Sequence, residues 1–170
     1  MIAVVSDAPE RDAARLDVVP QDVEGFYRAV EPHVEKMSRV AARLGGVGER
    51  DDVVQAALLN AWRHRDQFDP SRGSLSAWLM AITRHEAQRM SRRLGRFIRP
   101  NSEVRDDTSA DLIDLHEGIK RLSVRQRLAV DCYYVAGLTV GETATVMGCS
   151  EGTVKSTLAD GRAQLRVSLR

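Results

Sequence analysis

The stretch GETATVMGCSEGTVKSTL, residues 141–158, decides the fold of the second half of the chain. Ala144 stands four residues before Gly148, and a short polar break separates two runs of helical spacing. Two helices that meet at a sharp turn need a small side chain where they approach and a residue that tolerates a left-handed backbone at the corner. The stretch therefore predicts a helix-turn-helix, with Thr139 and Ser150 as the caps of its two helices.

The second helix of this unit begins with a row of polar side chains. Val154 and Leu158 are four residues apart, so we expect them to pack inward and the polar residues to face outward. Side chains at the start of such a helix reach base edges in the major groove of DNA, and its cations neutralise phosphates. The alternative is a plain helical hairpin with a solvated polar face. The candidate DNA-contacting residues are Ser150, Glu151, Thr153, Lys155, Ser156, Thr157 and Arg162.

Composition excludes several classes of protein. The chain has 170 residues, of which 43% are hydrophobic and 29% charged. A run of about 18 apolar residues and a signal peptide are both lacking, so we expect a cytoplasmic protein. Cys132 and Cys149 have no metal-ligand spacing, the histidines are scattered, and no catalytic motif occurs. We therefore expect two helix-packed thiols, no cofactor and no enzymatic activity.

Charge divides the chain into blocks. Residues 22–100 hold 14 basic and 10 acidic residues, whereas residues 101–122 hold 3 basic and 6 acidic ones. Two mildly basic blocks are thus separated by a short acidic segment. This charge pattern fits two nucleic-acid-binding domains joined by a linker, although ordinary solvated surfaces also produce it. We predict an all-α protein of two small helical domains joined by a flexible linker. The predicted parts are a disordered segment 1–21, a first domain 22–97, an acidic linker 98–110 and a second domain 111–170.

The first domain reads as three helices. Asp22 is expected to cap a helix that runs to Leu44 and is kinked at Pro32. A second helix covers residues 49–65, and a third follows the loop 66–74. The second domain is predicted to have four helices. The first two cover residues 111–122 and 123–137, and the other two are the helices of the helix-turn-helix, which begin after Thr139 and Ser150.

Three features of the first domain suggest binding surfaces. Arg89, Arg93 and Arg96 fall at i, i+4 and i+7, where like charges repel and a polyanion would relieve the repulsion. The alternative is a solvated basic face at a helix C-terminus. Trp78 is either a core residue or a platform on which unpaired bases stack. A mixed stripe of Asp52, Gln55, Ala56 and Leu59 on the second helix is either plain surface or a site for a partner helix.

Three segments together resemble a known family. DDVVQAALLNAW (51–62), QFDPSRGSLSAWLMAITRHEAQRMSRR (67–93) and LSVRQRLAVDCYYVAGLTVGETATVMGCSEGTVKSTLADGRAQL (122–165) are similar, in this order, to sigma-70 family factors of the extracytoplasmic-function type. The resemblance covers roughly residues 22–169, and the two domains match regions 2 and 4 of that family. The chain departs from the family pattern at Ala56, where Glu is frequent, at His85, where Asn is frequent, and at Thr157 and Asp160, where basic residues are common.

The resemblance implies a sigma factor that joins core RNA polymerase and directs promoter recognition and DNA melting. The implied polymerase contacts are the β′ coiled coil and the β flap, and an anti-sigma factor is an implied partner. The recognition helix would read the −35 element. Residues implied in polymerase binding are Asp52, Val53, Gln55 and Leu59. Residues implied at the −10 element are Phe68, Asp69, Ser71, Arg72, Ser74, Trp78, Arg84, His85, Arg89, Arg92 and Arg93.

Two other functions remain open from the residues alone. One is a free-standing transcriptional regulator that uses the same helix-turn-helix, and the other is a helical adaptor that binds RNA or protein. Dependence on core polymerase separates them, because only a sigma factor requires it for specific DNA binding.

Overall fold

We describe the protein from a computed structural model that covers residues 19–45, 49–93 and 118–168. All regular elements in these ranges are helical, as the sequence predicts. Short 3₁₀ turns cover Glu31–His33 and Arg65–Gln67, and residues 118–121 are also helical. The α-helices are α1 (Val23–Val30), α2 (Val34–Gly45), α3 (Arg50–Arg63), α4 (Leu75–Arg93), α5 (Val124–Val130), α6 (Val140–Met147) and α7 (Glu151–Ser168).

The first predicted helix is in fact two helices. Asp22 caps α1 as expected, and its Oδ1 accepts a hydrogen bond of 2.8 Å from the Gly25 amide. The helix then tightens into the 3₁₀ turn that contains Pro32 before α2 begins. Proline lacks an amide hydrogen and its ring clashes with the preceding turn, so the chain breaks where a kink was predicted.

The core of the first domain lies between α2, α3 and α4. Small residues on α3 let the other two helices approach, and α1 is attached by an edge-to-face contact of Phe26 with Trp62, whose ring centroids are 5.1 Å apart. Val19 is fully buried, so ordered packing includes part of the segment 1–21 that was predicted to be disordered. The buried residues of the three helices include Met37, Val40, Ala41, Val53, Ala57, Ala61, Leu79, Met80 and Ala87.

The second domain has the predicted helix-turn-helix. Thr139 caps α6 through a capping box with Glu142, and Gly148 ends that helix at φ +62°. This left-handed conformation costs a residue with a side chain roughly 1 kcal/mol or more, which explains the glycine. Ala144 is buried at the crossing, and the Thr153 amide donates to Ser150 Oγ at the start of α7. The predicted turn, small residue and caps are therefore confirmed.

The helix before this unit changes its winding. Ser123 caps α5 and forms a second capping box with Gln126. It continues as a π-helical segment, Asp131–Val135, and the chain turns at Gly137, where φ is +69°. The predicted stop at Gly137 is thus confirmed, whereas the π-helical winding was not foreseen.

The two domains contact each other directly. α6 packs against α4, and the π-helical segment together with α5 packs against α2. The predicted linker 98–110 and the start of the predicted helix 111–122 lie outside the described residues. The consequence for function is that one side of the helix-turn-helix faces the first domain.

Candidate nucleic-acid interface

A pocket of about 310 Å³ lies beside the N-terminus of α4. Its aromatic wall consists of Phe68 and Trp78, whose ring centroids are 5.5 Å apart at an interplanar angle of 56°. Both rings are half-buried, so each packs on the core and still presents a face to the pocket. An aromatic wall of this kind accepts a planar base by stacking.

The loop before α4 is held by its own side chains. Asp69 Oδ1 accepts hydrogen bonds from the Ser71 amide at 2.9 Å and from Ser71 Oγ at 2.6 Å. These hydrogen bonds lower the pKa of Asp69, the side-chain bond most strongly. Ser74 Oγ accepts from the Ala77 amide at 3.2 Å and so caps α4. The loop is therefore pre-shaped without help from a ligand.

Part of the pocket wall comes from the second domain. Glu142 and Thr145 of α6 are among the residues that line it. Glu142 Oε1 accepts a hydrogen bond of 2.7 Å from the Ser74 amide, at the N-terminus of α4. The sequence analysis assigned Glu142 no binding role. Its second partner is 68 residues away along the chain, so no local pattern marks it.

The cations predicted to hold DNA phosphates line α4. Arg89, Arg92 and Arg93 are exposed, and Arg84 is half-buried. His85, which was implied at the −10 element, is also exposed on this helix. They share one helix with the pocket, so a strand that enters the pocket with one base can run along them. Arg96 of the predicted arginine row lies outside the described residues.

A buried carboxylate stands beneath these cations, and sequence reasoning missed it. Glu86 is 3% exposed. Its Oε2 lies 3.0 Å from Arg89 Nε, and its Oε1 accepts from Asn60 Nδ2 of α3 at 2.8 Å. The Nδ1 atom of His85 lies 3.8 Å from the same carboxylate. The sequence did contain a signal for this contact, because Glu86 is an acidic residue in a basic helix. It precedes Arg89 by three residues, and this spacing places the two side chains on one face of the helix.

The exposed face of α3 carries most of the predicted polymerase-binding residues. Asp52 and Gln55 are exposed, and Leu59 is 55% exposed, which is unusual for a large apolar side chain. Val53 is different, because it is 0% exposed and lies in the core. Val53 therefore supports the face from below and is not available to a partner.

The start of α7 is open to solvent. Glu151, Lys155 and Ser156 are exposed, and Val154 and Leu158 are buried as predicted. Of the other predicted residues on this helix, Thr153 and Thr157 are half-buried and Arg162 is exposed; Ser150, its cap, is also exposed. Thr157 Oγ1 donates to the Thr153 carbonyl at 2.7 Å, so this hydroxyl has a partner within the helix. The exposed side chains at the start of α7 form a polar face that can approach base edges in a DNA groove.

Other chemistry has little support in the described part of the chain. No cluster of three potential metal ligands occurs there. Burial raises the pKa of Cys132 to about 12, so this thiol is protonated at neutral pH. No helix in the ranges covered by the structure is both long and apolar enough to cross a membrane.

Comparison with known families accounts for both domains. The family Sigma-70 region 2 matches residues 27–97, and the family Sigma-70, region 4 matches residues 112–165. The two matches follow the order in which the two domains occur. The aromatic wall of the pocket and the arginine-bearing helix fall within the first match, and the helix-turn-helix, with Glu142 and Thr145, falls within the second.

Individual relatives agree with these matches. The chain is 32% identical over 153 residues to the probable RNA polymerase sigma-C factor of Mycobacterium bovis, with 84% of this chain and 80% of that protein covered. It is 29% identical to the ECF RNA polymerase sigma factor SigL of Mycobacterium tuberculosis, with 82% and 86% covered. This chain belongs to the sigma-70 family. Within that family it is a sigma factor of the extracytoplasmic-function type, which acts in transcription initiation.

Solved structures are similar to this chain over most of its length. The sigma factor RpoE of Bartonella quintana, in complex with the anti-sigma factor NepR, superposes with a TM-score of 0.67 at 27% identity and covers 86% of this chain and 98% of its own. CnrH, in complex with the cytosolic domain of CnrY, gives a TM-score of 0.61 at 25% identity and covers 87% of this chain and 89% of its own.

Proposed function

We propose that the two domains divide promoter recognition between them, with the pocket beside α4 as the site that captures an unpaired base of the −10 element. The observation that carries this proposal is the position of the Phe68–Trp78 wall at the N-terminus of the helix that bears Arg84, Arg89, Arg92 and Arg93. Extruding a base costs a few kcal/mol, and stacking in a pocket offsets part of that cost. The loop residues Asp69, Ser71, Arg72 and Ser74 shape the rim, and His85 extends the DNA-facing row.

The remaining surfaces are assigned to the −35 element and to polymerase. The polar face of α7 enters the major groove and reads base edges, and Arg162 lies near a phosphate. Asp52, Gln55 and Leu59 dock on the β′ coiled coil of core RNA polymerase. Support for this docking comes from the exposed leucine, since an exposed apolar side chain on a polar stripe suits a helical partner.

Two more partners complete the proposal. Tyr134 and Val135 are 46% and 39% exposed at the end of the π-helical segment, and they offer an apolar contact for the β flap. An anti-sigma factor is the second partner, supported by the superposed RpoE structure, which is a complex of a sigma factor with the anti-sigma factor NepR. Such an inhibitor would bind the surfaces assigned to polymerase and mask them.

Run-off transcription tests the proposal. The purified chain is mixed with core RNA polymerase and promoter-containing genomic fragments, and discrete start sites are expected that core polymerase alone does not give. Gln55→Ala combined with Leu59→Ala removes the exposed contacts of α3 and is expected to abolish these transcripts. The matched control is Glu24→Ala combined with Tyr27→Ala, which truncates one polar and one apolar exposed side chain on α1.

Either of two results would contradict the proposal. Specific DNA binding without polymerase, together with no transcripts, would indicate a free-standing regulator. Equal loss of transcripts in the α3 and α1 variants would show that docking is not specific to the α3 face.

A further inference from the structure

The exposed arginines in the last part of α4 are restrained to different degrees. Arg89 Nε lies 3.0 Å from Oε2 of Glu86, whose side chain is only 4% exposed. Arg92 Nε donates to the Gln88 carbonyl of its own helix at 3.2 Å, in an exposed contact. Arg93 makes no hydrogen bond or ion pair with any residue that the structure describes. Of these three arginines, Arg89 alone is tied to a group that solvent does not reach.

The carboxylate that holds Arg89 is itself held from a second helix. Glu86 Oε1 accepts a hydrogen bond of 2.8 Å from Asn60 Nδ2 of α3. Its neighbours on the inner face of α4, Thr83 and Ala87, are both 0% exposed. The carboxylate therefore lies in the contact between α3 and α4. A buried polar group with partners on two sides stays in one position, because any other position would leave it unsatisfied.

The outer end of Arg89 remains open to a ligand. Its side chain is 51% exposed although its Nε atom faces the buried carboxylate. Nε is the guanidinium nitrogen nearest the aliphatic chain, so the two terminal nitrogens are the donors that remain for another partner. A guanidinium group is planar and rigid, and its fork of donors matches the oxygens of a phosphate. Fixing Nε therefore also fixes the plane in which Arg89 can bind a phosphate.

The histidine beside Arg89 is held much less firmly. His85 Nδ1 lies 3.8 Å from Glu86 Oε1, which is beyond hydrogen-bond distance, and its side chain is 63% exposed. The same carboxylate oxygen already accepts from Asn60 at 2.8 Å. Glu86 therefore orients Arg89 and leaves His85 free to turn.

The carboxylate has two opposite effects on DNA binding. A free surface arginine loses most of its rotamer freedom when it binds a phosphate, and an arginine that is already held in the free protein loses less. Against this, the negative charge of Glu86 repels the phosphate. Glu86 lies behind the guanidinium and is buried, so the phosphate comes closer to Arg89 than to Glu86, and attraction exceeds repulsion. We therefore expect the orienting effect to be the larger one.

We propose that Glu86 is a positioning residue of the −10 interface: it holds Arg89 in the orientation that binds a phosphate of the unpaired strand, with Asn60 as its anchor on α3. The proposal rests on the proposed function of the first domain. Glu86 acts through Arg89 and does not touch DNA. Arg93, in contrast, contributes its charge without a fixed geometry.

Three substitutions separate positioning from charge and from stability. Glu86→Gln has nearly the same size but offers one acceptor oxygen to two donors, Asn60 and Arg89, so it cannot hold both. Arg89→Gln removes the guanidinium group and keeps a side-chain donor for Glu86. Arg93→Gln makes the same change on the same helix, seven residues from Glu86 and without a carboxylate partner, and is the matched control.

The measurements use the full chain bound to core RNA polymerase. The DNA is the genomic fragment that gives the strongest run-off transcript with the wild type, and the polymerase complex is titrated against it to give the half-saturating concentration. Glu86→Gln is expected to raise this concentration about tenfold, the equivalent of one charge-assisted hydrogen bond. In the Arg89→Gln background, Glu86→Gln is expected to change it by less than about twofold. In the Arg93→Gln background, the tenfold effect is expected to remain, because distant sites act independently.

Two results would overturn the proposal. If Glu86 only supports the fold, Glu86→Gln weakens DNA binding by the same factor in the Arg89→Gln and Arg93→Gln backgrounds. If its charge only repels DNA, Glu86→Gln lowers the half-saturating concentration.

A second anchor variant keeps the test decisive if Glu86→Gln does not fold, which urea denaturation shows. Asn60→Ala frees Glu86 without changing its charge and is expected to raise the half-saturating concentration about threefold in the wild type. No rise is expected in the Arg89→Gln background, and an equal rise there would contradict positioning through Arg89. Failure of the proposed function shows separately, as an absence of core-dependent run-off transcripts from the wild type.

Discussion

The two helices assigned to DNA are nearly equal in length but differ in what covers them. α4 has 19 residues and α7 has 18, and a serine caps each of them. The N-terminus of α4 is occupied by a carboxylate from α6, whereas the first turn of α7 faces solvent. Similar local sequence signals thus produce one covered site and one open site. The difference shows that a binding face is defined by the surfaces around a helix as much as by its own residues.

The two helices also hold their charges differently. On α4, the buried Glu86 fixes Arg89 and is itself fixed by Asn60 of α3. On α7, Lys155 lies 3.9 Å from Glu151, and both side chains are more than half exposed. A buried hydrogen-bond network holds its side chains in one geometry. An exposed ion pair contributes little to stability, and its side chains rearrange freely. We therefore expect substitutions on α4 to have larger effects than equivalent substitutions on α7.

The largest expected effect is on base capture. Trp78→Ala removes one wall of the pocket, and base stacking on an aromatic side chain is worth about 1–3 kcal/mol. Run-off transcription with core polymerase is expected to fall about 10–100-fold, whereas Trp78→Phe retains most of the activity. Lys155→Ala on α7 removes a single exposed cation and is expected to cost less. A Trp78→Phe variant as inactive as Trp78→Ala would argue against stacking, and urea unfolding of each variant controls for lost stability.

A smaller effect is expected on stability. Glu86→Ala leaves the Asn60 side-chain amide without its buried acceptor, which is expected to lower the free energy of unfolding by about 2 kcal/mol. Glu151→Ala removes an exposed acid from the first turn of α7 and is expected to cost less than about 1 kcal/mol. Urea denaturation followed by circular dichroism measures both. Equal losses in the two variants would mean that the Glu86 network is no stronger than a surface contact.

The smallest expected effect is a difference between two glycines. Gly137 and Gly148 both have positive φ, +69° and +62°, so alanine is strained at either position by about 1 kcal/mol. A Cβ atom at Gly137 meets nothing within 4 Å, whereas one at Gly148 meets Arg84. Those Arg84 atoms are the end of a flexible side chain that can move aside, so Gly148→Ala is expected to lower the free energy of unfolding, measured by urea denaturation, by less than about 0.5 kcal/mol more than Gly137→Ala. A much larger loss at Gly148 would mean that the Arg84 side chain cannot move.

The accuracy of the sequence-based predictions follows the range of the interactions. The caps at Asp22, Thr139 and Ser150 were predicted correctly, because a cap involves residues three apart. The break at Pro32 was predicted as a kink, because a proline disrupts the interior of a helix through its own missing amide hydrogen and its ring. The family resemblance assigned Val53 to the polymerase face, but Val53 is 0% exposed. A resemblance of motifs does not say which side chains of α3 are buried in this chain.

The sequence by itself determined the helices, their caps, the helix-turn-helix and the family. These features depend on contacts between residues three or four apart and on the ordered set of motifs. Only the tertiary structure decided that Glu142 reaches Ser74, that Arg43 pairs with Asp131 and that Glu86 is buried beneath the arginines. These pairs depend on how whole helices pack, and many different sequence patterns are compatible with the same packing. The physical reason is that local periodicity fixes which face of a helix is apolar but not which partner covers it.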